Sequence, residues 1–146
     1  MHLETRKDKQ KMKLASNPST PVDVLRALAQ DEDWVVRSDV AENPSTPIEV
    51  LRALAKDESV YVRRWVAEHP NTPEDVLHYL AKDVEYEVRE QVAQNPKSSS
   101  KILVMQFEYE KSLREPDEDV IRALYANENL PPFAKRVIET LFGDLL

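Results

Sequence analysis

Cysteine is absent from this chain of 146 residues, which removes disulfides, cysteine-ligated zinc, iron–sulfur clusters and thiol nucleophiles. Glycine occurs once, so there is no glycine-rich loop to cradle a phosphate and no GxSxG nucleophile turn. The three histidines, His2, His69 and His78, fall at no metal-ligand spacing, and the carboxylates do not follow the order of a calcium loop. The expectation is a non-enzyme without metal or cofactor. No apolar run reaches the 18 residues of a membrane span, and the N-terminus MHLETRKDKQKMK lacks the apolar centre of a signal peptide. The expected location is cytoplasmic.

What is abundant is charge. The net charge is −7, but residues 1–16 hold five Lys and Arg against two Asp and Glu, whereas residues 17–97 hold nine against 16. A basic end on an acidic body argues against the broad basic face through which counterion release drives nucleic-acid binding. No shift of composition or glycine–serine linker divides the chain, which reads as a single domain over residues 1–146.

The chain repeats itself every 26 residues. NPSTPVDVLRALAQD at 17–31 returns as NPSTPIEVLRALAKD at 43–57, and Asn17-Pro18, Asn43-Pro44, His69-Pro70 and Asn95-Pro96 mark four starts. Within each unit, Thr20, Thr46 and Thr72 stand before a proline and a carboxylate, which predicts a helix with Thr as N-cap and Pro at its first position. The apolar set Val50, Leu51, Leu54 and Ala55 forms one stripe at helical spacing. Asp31, Asp57 and Asp83 read as N-caps of a second helix, whose stripe in the middle copy is Val62, Val66 and Ala67. Neither helix buries enough alone, so the units must stack into an all-α solenoid without strands.

Residues 1–16 read as an N-terminal half repeat, with Leu14-Ala15 in the places of Val40-Ala41 and Lys11 in that of Arg37. Residues 17–97 hold three regular repeats and the start of a fourth. Residues 98–146 read as a divergent helical C-terminal cap. There KILVMQFEYEKSLRE is one longer helix, Asp117 or Asp119 caps the next, and VIRALYANEN echoes the VLRALA core of the first helices. Val137, Ile138, Leu141, Phe142, Leu145 and Leu146 are expected to close the last core, a dimer contact being the alternative. Gly143 is expected to mark the final helix's end.

The unit NPxTPxxVLxxLAxDxxxxVRxxVAxN resembles the leucine-rich repeat variant family over about residues 5–97, and HEAT-like repeats more loosely. The resemblance implies a right-handed superhelix in which α-helices alternate with shorter helices, α or 3-10. An iron–sulfur cluster known in some members is not carried over, because its cysteines are missing.

Two sets of residues stand out as candidates. Arg37, Arg63 and Arg89 recur with Asp31, Asp57 and Asp83 and read as a structural Asp–Arg ladder rather than a comb for phosphates. Where the repeat is irregular, Tyr61 and Trp65 replace Val35 and Asp39 and share one side of their helix. With Arg64, His69 and Tyr79 they form the candidate partner-binding set. The competing reading has the aromatic pair packing sideways, with Trp34 or Tyr86. The function read from these features is a repeat scaffold binding another protein, a basic one given the acidic field, as monomer or weak homodimer. The alternative is a nucleic-acid-binding solenoid using Arg6 to Lys13 and the arginine rows.

Overall fold

The structure, a computed structural model, describes residues 5–146, so His2 falls outside it. Among the described residues all regular structure is helical. The helices are α1 (Arg6–Ser16), α2 (Val22–Leu28), α3 (Trp34–Glu42), α4 (Ile48–Leu54), α5 (Val60–Glu68), α6 (Glu74–Leu80), α7 (Tyr86–Gln94), α8 (Ser100–Ser112), α9 (Glu118–Ala126) and α10 (Pro132–Phe142). A 3-10 turn, Gly143–Leu145, follows α10, and it is the one 3-10 segment among the described residues. In each of the three regular repeats both helices are α, seven residues in the first and nine in the second. Helices so short are unstable alone and depend on burying a face. The chain divides into two compact units, one ending at Thr72 and one running from Pro73 to Leu146.

In the first unit α1, α3 and α5 pack side by side, with α2 and α4 laid against them. The predicted stripes are the core: Leu25, Val36, Val40, Leu51, Val62 and Val66 are fully buried. Helix α1 packs on α3 as α3 packs on α5. Its Lys11 reaches Asp31 at 2.7 Å, and a capping box between Thr5 and Asp8 closes its N-terminus.

The turns differ from the expectation in an instructive way. Pro21, Pro47 and Pro73 occupy the N-cap, without a side-chain cap. The threonines instead donate backwards, Thr20 to the Leu14 carbonyl at 2.5 Å, and Thr46 and Thr72 to Val40 and Val66 at 2.6 Å. They finish the preceding helix, satisfying a carbonyl that a helix end leaves orphaned. Asp31, Asp57 and Asp83 are likewise not the N-caps of the second helices. Each accepts from the backbone N–H two residues on, Asp33, Ser59 and Glu85, in an Asx turn that sets up the helix. Of the three residues now at the N-cap, Asp33 caps through its side chain, accepting from Val35, whereas Ser59 and Glu85 make no such bond.

Asparagine governs the turn before α2, α4 and α8, where Asn17, Asn43 and Asn95 each accept from the backbone N–H two residues on. Asn43 Oδ1 accepts from the Ser45 N–H at 2.9 Å, while its Nδ2 donates to the carbonyls of Ala15 and Asn17 one repeat earlier, at 2.7 and 2.9 Å. One amide therefore shapes its own turn and ties two repeats together.

The second unit contains α6 to α10. Here Asn127 repeats the Asn43 pattern, donating to the carbonyls of Ala93 and Asn95 at 2.8 and 3.2 Å and accepting from Asn129. Helix α9 packs on α7 as α3 packs on α1. The segment VIRALYANEN is therefore a second helix of a fourth repeat, which corrects its reading as an echo of the first helices. This repeat is 32 residues long against 26 earlier. The excess of six equals the difference between α8, with 13 residues, and α2, with seven. Asp117 caps α9 by accepting from Asp119 and Val120, and Gly143 ends α10 with right-handed φ. Ile138 is fully buried and Val137, Phe142 and Leu145 pack on the same core. Leu141 and Leu146 do not close it: they are 57% and 52% exposed.

Candidate interaction surface

The arginines are built into the joints between repeats. Arg37 points its Nη1 at the carbonyls of Asp31 and Glu32, at 2.8 and 3.0 Å, and its Nε and Nη2 at both oxygens of Asp57, at 2.7 and 3.1 Å. The hydrogen bond with Asp57 outweighs burial and raises the arginine above its ordinary pKa. Arg63 Nη1 repeats the local part, on the carbonyls of Asp57 and Glu58. In the second unit Arg89 binds the Asp83 carbonyl at 2.9 Å, and its fork meets Glu110 at 2.9 and 3.2 Å.

Glu110 is the polar residue that pattern reading missed. Helix α8 brings it into contact with Arg89, fully buried, and it also accepts from the Asp117 N–H at 2.7 Å. Its signal was present in the sequence as Gln106 and Glu110 at i, i+4 in a run, residues 102–110, whose one other charged residue is Glu108. Gln106 is equally buried, and its Nε2 donates to the Arg89 carbonyl at 2.7 Å.

The partner-binding candidates divide. His69 is 3% exposed and cannot present a surface, so it leaves the set. It stands where Asn43 and Asn127 stand, its Nδ1 accepting from the Asn71 N–H at 3.0 Å and its Nε2 facing the Asn43 carbonyl at 2.8 Å. Because Nδ1 accepts, Nε2 carries the proton and donates, and the ring copies the two functions of the amide. Tyr79 is 53% exposed, on α6 of the second unit. Arg64 is exposed and Trp65 half-buried on α5.

Tyr61, 54% exposed, stacks on Trp34, 43% exposed, with ring centroids 4.9 Å apart and planes at 23°. Tyr61 thus packs sideways on Trp34 while half of it stays at the surface. Trp34 also lines a cleft of about 460 Å³ with Asp8, Lys11, Asp31, Glu32, Asp33 and Val35. Asp31 is held below its ordinary pKa: burial pushes it up, but the hydrogen bonds from Lys11 and the Asp33 N–H prevail.

Asp39, the residue in the place of Trp65 one repeat earlier, is half-buried on α3 and its pKa is pushed up to about 6, by desolvation first and then by Glu42 and Asp33. Below its unfolded pKa of about 4 the carboxyl is neutral in both states. As pH rises through about 6 the folded protein must ionise a half-buried group, and stability falls. Asp39→Asn is expected to stabilise the fold by about 1–2 kcal/mol at about pH 7.5, after discounting for partial exposure, and by almost nothing at about pH 4. Thermal melts at both pH values check this; equal gains at both would refute the electrostatic cause.

Among the described residues no group of three or more potential ligands is placed to hold a metal, and no helix is long and apolar enough to cross a membrane. Residues 37–96 match the family model described as Leucine Rich Repeat Variant domain. No curated protein and no solved structure matches the chain.

Proposed function

Since residues 37–96 match the leucine-rich repeat variant model, we propose that the chain is a non-enzymatic scaffold that binds another protein through the irregular aromatic surface of its second repeat. The observation that carries this reading is the Trp34–Tyr61 stack, held at the surface of otherwise regular helices. A rigid, half-exposed aromatic pair beside an arginine, here Arg64, supplies contact area at little entropic cost and is typical of binding hot spots. Tyr61, Arg64 and Trp65 on α5 form the centre of this surface, and Tyr79 is a separate exposed aromatic on the second unit. The nucleic-acid alternative loses support from the arginine rows, because Arg37 and Arg89 direct their guanidinium groups at Asp57 and Glu110.

The test is affinity capture from source-cell lysate with the wild-type chain, Tyr61→Ala and the double variant Tyr61→Ala/Trp65→Ala. Both variants are expected to keep full helicity by circular dichroism and to lose at least tenfold of the captured partner, the consequence of removing hot-spot side chains. Capture that is unchanged in variants that fold would sink the proposal.

A further inference from the structure

Helix α1 carries a groove of about 530 Å³ lined by Lys9, Met12, Lys13, Ser16 and Asn17, which share one face at helical spacing. Lys9 and Lys13 are exposed on its rim and Met12 is half-buried in its floor. The positions 26 residues further on show what such a face holds. On α3 they include Val35, Ser38, Asp39 and Asn43, of which Ser38 and Asn43 are buried and Val35 and Asp39 half-buried, with α1 packed on α3. A helix seats on this column of α3, and among the described residues none seats on the same column of α1.

The hydrogen bonds at that position agree. Asn43 Nδ2 donates to the carbonyls of Ala15 and Asn17 at the end of α1, and Asn127 Nδ2 to those of Ala93 and Asn95 at the end of α7. Asn17 keeps the local half of the pattern, its Oδ1 accepting from the Ser19 N–H at 2.9 Å, but among the described residues its Nδ2 meets no acceptor. Lys9 and Lys13 have no carboxylate partner there either, in contrast to Lys11, which is on Asp31. The groove thus offers a spare amide donor at one end and two spare ammonium groups along its rim.

We infer that α1 docks an acidic α-helix of another protein, laid along it with its C-terminal end at Asn17, as the end of α1 lies at Asn43. The last carbonyls of a helix have no partner within it, and here they accept from Asn17 Nδ2. Carboxylates on the flank of the docked helix meet Lys9 and Lys13, while its apolar side chains rest on Met12, whose unbranched chain adapts to them. Charge complementarity selects an acidic partner, and it disfavours a second α1, which would set lysines against lysines. This surface is separate from the Trp34–Tyr61 pair, so the inference goes beyond the scaffold reading and does not rest on it.

Anisotropy titration of the full chain with fluorescein-labelled peptides tests this. The probe is an alanine-rich peptide of about 18 residues, long enough to hold a helix in water, with leucines on one face and glutamates beside them. One control carries lysine for glutamate, and another a central proline that breaks the helix. The acidic helix is expected to bind, the proline peptide about tenfold weaker, and the lysine peptide not at all. Asn17→Asp keeps the acceptor for Ser19 and removes the donor, and Lys9→Glu/Lys13→Glu reverses the rim. Each is expected to weaken the acidic helix about tenfold with melting curves unchanged, because these side chains are exposed. Tyr61→Ala/Trp65→Ala is expected to bind the peptide as wild type does; loss of binding there would move the peptide to the aromatic surface and overturn the inference. No binding, binding indifferent to Asn17→Asp, or equal binding of the proline peptide also overturns it. Single-stranded oligothymidylate competing as well as unlabelled acidic peptide overturns it by assigning the rim to phosphates. Self-association in sedimentation that Asn17→Asp abolishes overturns it by assigning the face to a second copy.

Discussion

Replacing Glu110 with alanine is expected to destabilise the protein by about 3–5 kcal/mol, the usual consequence of stranding one partner of a buried ion pair. Glu110 is fully buried and accepts both arms of the Arg89 fork as well as the Asp117 N–H. Arg89, itself 5% exposed, would keep its charge, with the Asp83 and Val84 carbonyls at 2.9 and 3.4 Å still accepting from its Nη1. Arginine does not escape by deprotonating, so the desolvation cost stays in the folded state. The double variant Arg89→Met/Glu110→Leu should recover most of the loss, since apolar packing of similar volume replaces a pair whose desolvation nearly cancels its attraction. Urea denaturation followed by circular dichroism measures both variants. Trp34 and Trp65 lie in the first unit, so tryptophan fluorescence reports that unit separately. A loss below about 1 kcal/mol for Glu110→Ala would show that the pair is not the joint described here.

His69→Ala is expected to cost about 2–4 kcal/mol, whereas His69→Asn should stay within about 1 kcal/mol of wild type. Alanine leaves the Asn43 carbonyl and the Asn71 N–H without the ring that meets both, inside a site that is 3% exposed. Asparagine supplies an acceptor and a donor in the arrangement already used by Asn43 and Asn127. Thermal or urea melts distinguish the two, and a His69→Asn variant as unstable as His69→Ala would refute the equivalence. Neither change is expected to alter partner capture in protein that folds, because the ring is inside the joint.

Three of the five candidate partner-binding residues are physically different. Tyr61 is surface, Trp65 is half-buried, and His69 is core. Their spacing on one side of a helix was readable, since i and i+4 positions are neighbours whatever the fold. Whether a neighbouring repeat covers a given position was not readable, because that depends on how far one repeat advances past the next. Trp34 was considered only as a packing partner, and its role as the wall of a cleft appeared when α1 and the turn at residues 31–33 came together.

The sequence by itself determined the period of 26, the helix pairs, the apolar stripes and the proline-marked turns. These are local matters, decided by residues within one or two helical turns of each other and written again in each repeat. Tertiary structure alone decided where the polar side chains go. Arg37 takes the carboxylate of Asp57, 20 residues ahead, while meeting only the backbone carbonyl of Asp31. Glu110 faces Arg89 because α8 is six residues longer than the helices it replaces, which moves a different face of the chain into the joint. Each of these outcomes depends on the stacking of one repeat upon another, and a contact across that joint leaves no period in the sequence from which its partner could be read.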